Sequence, residues 1–281
     1  MFEYLLEFED VYYTYPMAET PALQGLTLRL PAGKNSALVG QNGCGKSTLF
    51  LLADGLCKPE RGIVKSRSIP LAYDQTFLNQ WRQRVGLVFQ DPEQQLVAPT
   101  VAADVSYGLC NLQLPEAEIA KRVEQVLAEF DLQDLAMRPL HHLSLGQKKR
   151  VSLAGVMALQ PELLLLDEPT AYLDPIQTRN LLAELEKIAT QGTTLLIASH
   201  DLDFVYQWAD WIFVMHEGRL VLEGTPEMVF AQSTMTKLGL GTPLLWQAWQ
   251  ALPQEIQQVN ARMPRTIEQF TDWLSPLHQL P

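Results

Sequence analysis

Residues 40–47 have the sequence Gly-Gln-Asn-Gly-Cys-Gly-Lys-Ser, which combines three glycines with a lysine and a hydroxyl group. The spacing G-x-x-x-x-G-K-[ST] is that of a P-loop, whose backbone amides surround phosphate groups because glycine tolerates the necessary turns. Lys46 offers a charge to the β- and γ-phosphates of a nucleotide, and the Ser47 hydroxyl is suited to Mg²⁺. The residues predicted to surround the nucleotide are Gly40, Gln41, Asn42, Gly43, Cys44, Gly45, Lys46, Ser47 and Thr48.

Two acidic residues follow a run of four leucines and supply the second half of the predicted site. Residues 163–166 are typical of a buried strand, so Asp167 and Glu168 come at its carboxyl end, where parallel sheets bind ligands. Asp167 is predicted to hold Mg²⁺, through a water molecule. Glu168 is placed to polarise an attacking water. The chemistry indicated by both segments together is hydrolysis of a nucleoside triphosphate.

Strands and helices are predicted where these segments need support. An apolar strand over residues 37–39 leads into the loop, and a helix over residues 48–56 follows it, so the positive end of that helix faces the phosphates. After residues 163–166, a helix that ends near Gly192 precedes a strand over residues 194–198, and this alternation favours a parallel sheet. Further strands are predicted over residues 5–13 and 26–30, and a late hairpin over residues 212–215 and 220–222.

The middle and the end of the chain are predicted to be helical. Residues 115–130 place apolar side chains on one helical face, and residues 91–160 therefore resemble a helical subdomain inserted between β-rich parts. Residues 231–281 form a predicted helical extension rich in Gln, Pro and Trp. The apolar positions behind these predictions are Ile119, Val123, Val126, Leu127 and Phe130 in the middle, and Leu245, Trp249, Leu252 and Ile256 in the extension.

Composition excludes several classes of partner. The formal net charge of the 281-residue chain is −11, which argues against nucleic acid or an anionic lipid surface as the main partner. No apolar run approaches the roughly 18–20 residues that span a bilayer. The first ten residues contain four acidic side chains and no basic start, so no signal peptide is predicted. We expect a cytoplasmic chain that meets a membrane only through another protein.

Cysteine and histidine give no sign of a structural metal site. Cys44, Cys57 and Cys110 are too widely spaced for a metal cage or a disulfide framework, which favours a reducing compartment. The only paired histidines, at positions 141 and 142, lack further ligands nearby and are interpreted as surface or packing residues. Because Cys44 lies inside the loop, we expect a bulky thiol reagent to block nucleotide binding and bound ATP to protect the thiol.

Residues 143–147 decide between classes of P-loop protein. Their sequence Leu-Ser-Leu-Gly-Gln, followed by Lys-Lys-Arg, resembles the ABC-transporter signature Leu-Ser-Gly-Gly-Gln. Ser144 and the amides after it are able to cap a helix and bind an anion there. In that family the anion is the γ-phosphate held by the opposite ATPase, so each site is completed in trans. The residues that would serve the partner's site are Ser144, Leu145, Gly146 and Gln147.

The resemblance extends over about residues 1–230 and implies further roles. Gln90, after a strand, matches the Q-loop, and would sense the metal and the nucleophile. Asp174 matches the D-loop, and His200, after another strand, matches the switch histidine that contacts the γ-phosphate. Tyr15 matches the aromatic residue that stacks on adenine. The implied catalytic residues are Glu168, His200 and Gln90, and the implied Mg²⁺ ligands are Ser47, Gln90 and Asp167.

The implied fold class is α/β: a P-loop NTPase with a RecA-like core, an antiparallel β part, the inserted helical subdomain and a short C-terminal helical extension. Residues 1–230 would form the ATP-binding domain.

Two positions depart from the family pattern. Leu145 replaces a glycine, at a cost of about 1–2 kcal/mol if the position needs positive φ. Tyr172 stands where a small residue is common.

Residues 88–96, Val-Phe-Gln-Asp-Pro-Glu-Gln-Gln-Leu, resemble the energy-coupling-factor importers and, within them, the cobalt and nickel branch of CbiO type. That resemblance implies four things: a second ATPase, as a homodimer or with a paralogue; an integral membrane coupling subunit; a membrane protein that captures the substrate; and a peripheral position on the cytoplasmic face of the cell membrane. Trp246, Trp249 and Trp273 would form part of a partner surface or, alternatively, cover an edge of the core; the first is favoured.

Other functions remain as alternatives. The same subunit type also serves vitamin importers, because another subunit selects the cargo. A soluble ABC ATPase of DNA repair would carry long coiled-coil heptad repeats between the P-loop and the strand that ends at Asp167. Here only about 120 residues separate Lys46 from Asp167. A ribosome-acting ABC protein would have two cassettes and a basic surface. A P-loop kinase would lack the signature.

Overall fold

A computed structural model describes residues 3–112, 114–253, 257 and 263–274. The strands form two sheets. The first is antiparallel with the order β2-β1-β4-β5, and the predicted alternation of Leu26, Leu28 and Leu30 is confirmed because all three are buried. The strands of this sheet are β1 (Tyr4–Tyr13), β2 (Leu23–Pro31), β4 (Arg61–Ser66) and β5 (Ile69–Pro70).

The second sheet has six strands in the order β10-β9-β3-β8-β7-β6. Strands β9, β3, β8, β7 and β6 run parallel, and β10 pairs antiparallel with β9, so the predicted parallel sheet and late hairpin are both confirmed. The strands are β3 (Ser36–Val39), β6 (Val85–Val88), β7 (Leu163–Asp167), β8 (Thr194–Ala198), β9 (Trp211–His216) and β10 (Arg219–Gly224).

Helices cover this sheet, and the chain segment that connects β6 to β7 forms a helical layer. Apart from one isolated bridge, the described elements within residues 91–160 are all helical. The helices are α1 (Lys46–Ala53), α2 (Gln75–Arg84), α3 (Val101–Cys110), α4 (Glu116–Glu129), α5 (Leu145–Met157), α6 (Pro175–Thr190), α7 (Leu202–Trp208), α8 (Pro226–Phe230), α9 (Thr234–Lys237), α10 (Leu244–Gln250) and α11 (Ile267–Leu274). Short 3₁₀ turns occur at Pro92–Gln94, Gln133–Leu135 and Leu140–His142.

Both faces of the parallel sheet are buried, in two separate cores. In β7, Leu164 and Leu166 face the helical layer, whereas Leu163 and Leu165 face the core shared with the antiparallel sheet. This burial on two sides explains why the strand is a continuous apolar run rather than an alternating one. It also fixes β7 firmly enough to deliver its terminal acidic residues to a defined edge of the sheet.

The helix after the P-loop ends earlier than the sequence predicts. Gly55 takes a left-handed conformation with φ 75°, which stops α1 after Ala53. The indole of Trp81 donates to the Ala53 carbonyl over 2.7 Å, and Arg82 donates to the carbonyls of Asp54 and Gly55. Helix α2, which the sequence did not reveal, therefore caps α1, and its last residue directly precedes the strand that leads to Gln90.

The C-terminal extension packs its tryptophans inward. Trp246 lies 6.0 Å from Tyr206 and 6.2 Å from Phe230, and Trp249 lies 4.9 Å from Trp273 between ring centroids. All three indoles are buried, Trp246 in the core and Trp249 and Trp273 against each other, so these rings do not form the exposed partner surface that was favoured. That the extension contacts a second ATPase stays a prediction. The chain gains more by burying such large rings internally than by leaving them in water.

Helix α10 ends at Gln250, so the predicted helical spacing does not continue to Leu252, and Ile256 lies outside the described residues. Two polar contacts fix the extension to the core. Arg265 forms an ion pair with Glu227 at 2.8 Å and donates to a carbonyl at the end of α7. None of the described helices is both long and apolar enough to span a membrane.

Candidate nucleotide site

The P-loop joins β3 to α1 and folds around the ammonium group of Lys46. That side chain is 7% exposed, and its Nζ donates to the carbonyl of Gly40 over 2.8 Å and to that of Gln41 over 3.3 Å. Gly43 and Gly45 take left-handed conformations, with φ of 81° and 106°. A Cβ on Gly40 would stand 2.5 Å from the Met215 carbonyl oxygen, so that position requires glycine.

The acidic residues at the end of β7 reach the same place. Asp167 accepts a hydrogen bond from the Ser47 side chain, so two of the three predicted Mg²⁺ ligands are in contact. Burial raises the pKa of the Asp167 carboxyl, and the carboxylate of Glu168 raises it further. The Ser47 hydrogen bond and the Lys46 ammonium oppose that rise. The site thus holds a partly desolvated carboxylate that lacks a full counter-charge.

Glu168 and His200 form a pair that sequence reasoning did not reveal. Glu168 Oε2 lies 2.8 Å from His200 Nδ1, and the carboxylate is buried while the imidazole is largely exposed. Glu168 has a positive φ of 44°, and its amide donates to the Ala198 carbonyl over 3.0 Å. Because β7 and β8 are adjacent parallel strands, their carboxyl ends bring the two side chains together. Only the order of the strands in the sheet carries this information.

An open cleft of about 410 Å³ lies over the P-loop. Tyr15 stands at its edge, 39% exposed, and shares a hydrogen bond of 3.1 Å with the Thr48 hydroxyl. Tyr15 also packs edge-on against Tyr13, with centroids 5.1 Å apart. The predicted residues that line the cleft are Tyr15, Asn42, Gly43, Gly45, Lys46, Ser47, Thr48, Gln90, Asp167 and Glu168.

Two P-loop side chains point away from this cleft. Gln41 Nε2 donates to the Leu238 carbonyl over 2.8 Å, which ties the loop to the C-terminal extension. Cys44 is 5% exposed and belongs to the core under the antiparallel sheet, where burial raises the pKa of its thiol. The structure therefore contradicts our expectation that this thiol reports on the nucleotide, because its sulfur faces the core and is neither accessible nor in its reactive thiolate form.

The signature segment forms the start of α5, away from the cleft over the P-loop. Ser144 caps the helix by accepting from the Gln147 amide over 3.3 Å, while Gln147 Oε1 accepts from the Ser144 amide over 2.9 Å. Leu145 is the first helical residue and does not have positive φ, so it carries no backbone strain. A Cβ on Gly146 would stand 3.0 Å from the Gln177 Oε1 atom, so a larger residue at 146 would require the Gln177 side chain to shift.

The segment after Glu168 leads into α6. Asp174 caps that helix by accepting from the amides of Ile176 and Gln177, at 2.9 and 2.8 Å. Tyr172 has φ 64° and is 82% exposed, so its ring projects from the surface close to the start of α6. A separate groove of about 190 Å³ runs between α5 and α6, and among its walls are Ser144, Gly146 and Gln147. None of these three lines the P-loop cleft.

A protein-family profile described as "ABC transporter" matches residues 23–171, more than half of the chain. The chain belongs to the ABC transporter family. A Nostoc protein whose name assigns it to ABC transporter ATP-binding proteins is 62% identical, over 86% of this chain and 89% of its own length. The energy-coupling factor transporter ATP-binding protein EcfA of Methanocaldococcus jannaschii is 43% identical, over 85% of this chain and 86% of its own length.

Solved ABC cassettes share the fold. The structure of cbiO1 from Clostridium perfringens, part of the ABC transporter complex cbiONQ, aligns with a TM-score of 0.73 and 40% identity, and covers 88% of this chain and 99% of its own. The predicted fold class, an α/β P-loop NTPase of ABC type, is thereby confirmed. The chain is an ATP-hydrolysing ABC transporter subunit.

Proposed function

We propose that this ABC ATPase is the energy-coupling subunit of an energy-coupling-factor importer and that its cargo is cobalt or nickel. The observation that carries the catalytic part is the convergence of Lys46, Asp167 and the Glu168–His200 pair at one cleft. The importer class is supported by the 43% identity to a protein named EcfA and by the residues around Gln90. The cargo is supported by the CbiO-type motifs and the likeness to cbiO1.

The side chains of the cleft divide the reaction between them. Lys46 and the loop amides hold the β- and γ-phosphates, and Tyr15 stacks on the adenine at the rim of the cleft. Glu168 orients and polarises the attacking water, with its carboxylate held by His200. His200, which is largely exposed, is free to reach the γ-phosphate as well. Gln90 lines the same cleft and would sense the metal and the nucleophile.

The donor set fits Mg²⁺. The Ser47 hydroxyl and the Asp167 carboxylate are adjacent oxygen ligands of the hard kind that this ion prefers, with Gln90 on the same cleft. When bound, Mg²⁺ would neutralise charge on the β- and γ-phosphates. A cation there would also favour the charged form of the Asp167 carboxyl and so offset the rise in its pKa that burial causes.

Each cleft needs a second ATPase to be complete. The signature residues Ser144, Gly146 and Gln147 lie in the α5–α6 groove and outside the P-loop cleft of the same chain. The amino-terminal end of α5, with its capping serine, is suited to a γ-phosphate presented by a partner. Asp174 and Tyr172 lie on the segment between the two clefts and would contact that partner. Closure of the two chains on ATP is thus the step that couples binding to transport.

The membrane components follow from the importer class. An integral membrane coupling subunit would dock near the Q-loop, and a second membrane protein would capture the metal ion. The ATPase itself would sit on the cytoplasmic face of the membrane and not touch the cargo. Within the described residues, no cluster of three or more His, Cys, Asp or Glu side chains is suited to a metal ion. The net charge of −11 supports protein partners over nucleic acid.

Affinity purification tests this proposal. The tagged chain is recovered from gently solubilised membranes of its own source, beside a tag-only control, and co-purified proteins and bound metals are identified. We expect one membrane coupling protein and a second membrane protein loaded with cobalt or nickel. A vitamin-binding membrane protein in place of the second would keep the mechanism and overturn the cargo. Recovery without any membrane protein would overturn the transporter role.

A further inference from the structure

Lys149 is a buried lysine that the proposed chemistry does not use. It lies in the second turn of α5, five residues after Ser144, and is 6% exposed. Its Nζ donates to the Pro169 carbonyl over 2.8 Å and approaches the Glu168 carbonyl at 3.5 Å. An ammonium group on the signature helix thus contacts the backbone that carries the proposed catalytic carboxylate.

The neighbouring basic residues behave differently. Lys148 forms an ion pair with Glu93, and Arg150 lies 3.5 Å from Glu184. Among the described ion pairs, none joins Lys149 to a carboxylate. The described hydrogen bonds of its ammonium group go to two backbone carbonyls. A lysine that only served solubility or a surface ion pair would not be placed in this way.

The backbone at Glu168 needs to be held. Its positive φ of 44° is uncommon for a residue with a side chain. The Glu168 amide donates to the Ala198 carbonyl over 3.0 Å, and its own carbonyl accepts from the Ala171 amide over 3.1 Å. The Lys149 ammonium adds a charged donor on the carbonyl side of this residue and the next. Together these bonds fix the direction in which the carboxylate leaves the main chain.

Keeping a charged group here is costly. Burial lowers the pKa of Lys149 to about 8, although the carboxylates of Glu168 and Asp91, which face it from the end of β7 and from the start of the first 3₁₀ turn, raise it. An apolar side chain of the same length would avoid that desolvation. A buried ammonium with a shifted pKa, hydrogen-bonded beside the cleft, is a candidate for a functional role.

We propose that Lys149 is a positioning residue for Glu168, which holds the Glu168–Pro169 backbone and thereby links the helix that binds the partner's phosphate to the catalytic carboxylate of its own chain. This inference rests on the proposed role of Glu168. A shift of α5, when a phosphate binds at Ser144, would be passed through the Lys149 ammonium to the neighbouring carbonyls. One rigid side chain would thus connect the two ATP sites of a pair.

The test compares ATP hydrolysis by the purified full-length chain, its Lys149→Met variant and a matched Lys148→Met control. We expect Lys149→Met to lower kcat by about 10-fold or more with KM for ATP changed less than about 3-fold, because the carboxylate is misdirected while the phosphate cradle is intact. Lys148→Met contacts neither carbonyl and is expected to stay within about 2-fold of the unmodified chain. Lys149→Arg, which keeps a charged donor, is expected to recover part of the lost kcat.

A double-mutant cycle separates positioning from a merely structural role. If Lys149 acts through Glu168, adding Lys149→Met to Glu168→Gln lowers the single-turnover rate of hydrolysis no further. If the two residues act independently, the fold-losses of the two single variants multiply in the double variant. Multiplied losses, or an unchanged kcat in Lys149→Met, would overturn the inference. If the methionine variant does not fold, Lys149→Gln, which is one bond shorter and neutral, is compared in the same cycle. Absence of hydrolysis in the unmodified chain, or unimpaired hydrolysis in Glu168→Gln, would instead contradict the proposed function.

Discussion

At the scale of single residues, the Glu168 carboxylate is held before any nucleotide enters the cleft. Its hydrogen bond to His200 and the backbone bonds on either side of it restrict the carboxylate to one direction. Such pre-organisation lowers the cost of orienting a water molecule at the moment of reaction. In the proposed mechanism the imidazole has two functions, because it holds the carboxylate by this hydrogen bond and would also contact the γ-phosphate.

Glu168→Gln is predicted to slow hydrolysis strongly and retain ATP binding. General-base catalysis contributes about 10²–10⁴-fold, so kcat is expected to fall by about that factor, while the amide leaves the phosphate cradle unchanged. The variant should therefore accumulate a closed dimer with Mg-ATP, measurable by size-exclusion chromatography. Glu186→Gln, an exposed glutamate on α6, is the matched control. A monomeric Glu168→Gln chain under saturating Mg-ATP would count against the proposed mechanism.

Asp54, at the end of the P-loop helix, is predicted to make stability depend on pH. Burial raises its pKa from 3.8 to about 7, although Arg82 opposes the rise. The native chain thus binds more protons than the unfolded chain between these values, so stability falls as pH rises from about 4 to about 7, by at most about 4 kcal/mol.

Urea unfolding between pH 4.5 and 7.5 measures this effect. Asp54→Asn is expected to remove the part of the pH slope that Asp54 contributes and to be the more stable protein at pH 7.5. Glu186→Gln, an exposed carboxylate on α6, should leave the slope as it is. Equal slopes in the Asn variant and the unmodified chain would show that Asp54 keeps its ordinary pKa.

At the scale of elements, two helix amino termini are both capped by side-chain oxygens that accept backbone amides, but the capping residues differ in charge. Helix α5 begins with a capping box formed by Ser144 and Gln147, and α6 begins at Asp174, whose carboxylate accepts two amides. The Asp174 oxygen is occupied by its own helix, whereas the amides at the start of α5 lie in the α5–α6 groove. The serine terminus is therefore the better anion site, since it brings no negative charge.

Ser144→Ala is predicted to cost stability and, separately, activity. Loss of the cap should lower the free energy of unfolding by about 1 kcal/mol. Loss of the hydroxyl at the partner's phosphate should lower kcat/KM beyond what this small destabilisation explains. Thr225→Ala removes the cap of α8 and serves as a control with a similar loss of stability. If both variants hydrolyse ATP equally well, Ser144 does not serve the partner's site.

At the scale of the whole molecule, the C-terminal extension is part of the core. Trp246 packs against α7 and α8, and Gln41 of the P-loop donates to the Leu238 carbonyl. Helix α7 follows His200 directly, and the Leu244 amide donates to Asp203 in that helix over 2.6 Å. The extension thus contacts the core close to the P-loop and close to His200.

Trp249→Ala is predicted to destabilise the single chain rather than weaken its pairing. Removing a buried indole that packs at a tilt against Trp273 should cost about 3 kcal/mol or more in chemical unfolding. Leu244→Ala, at a 70% exposed position of the same helix, should cost little. The ATP dependence of dimer formation, measured at a temperature where both variants are folded, should match the unmodified chain. Weaker pairing at unchanged stability would restore the partner-surface interpretation.

The sequence by itself determined most of the residues that line the cleft and the strands and helix that carry them. The P-loop spacing places its backbone without reference to the rest of the chain, and the strand before Asp167 is buried on both faces, so its apolar run identified it. Caps such as Ser144 are local too, because their partners lie within four residues. These features were predictable since their causes lie within a few neighbouring positions.

Only the tertiary structure decided which distant side chains meet and which way loop side chains turn. The Glu168–His200 pair depends on β7 and β8 being neighbours, and the bond from Lys149 to the Pro169 carbonyl depends on the packing of α5 below the sheet edge. Cys44 faces the core although its neighbours face the cleft, and Trp246 of the extension is buried against α7 and α8. Such contacts join residues tens of positions apart, and no local period encodes them.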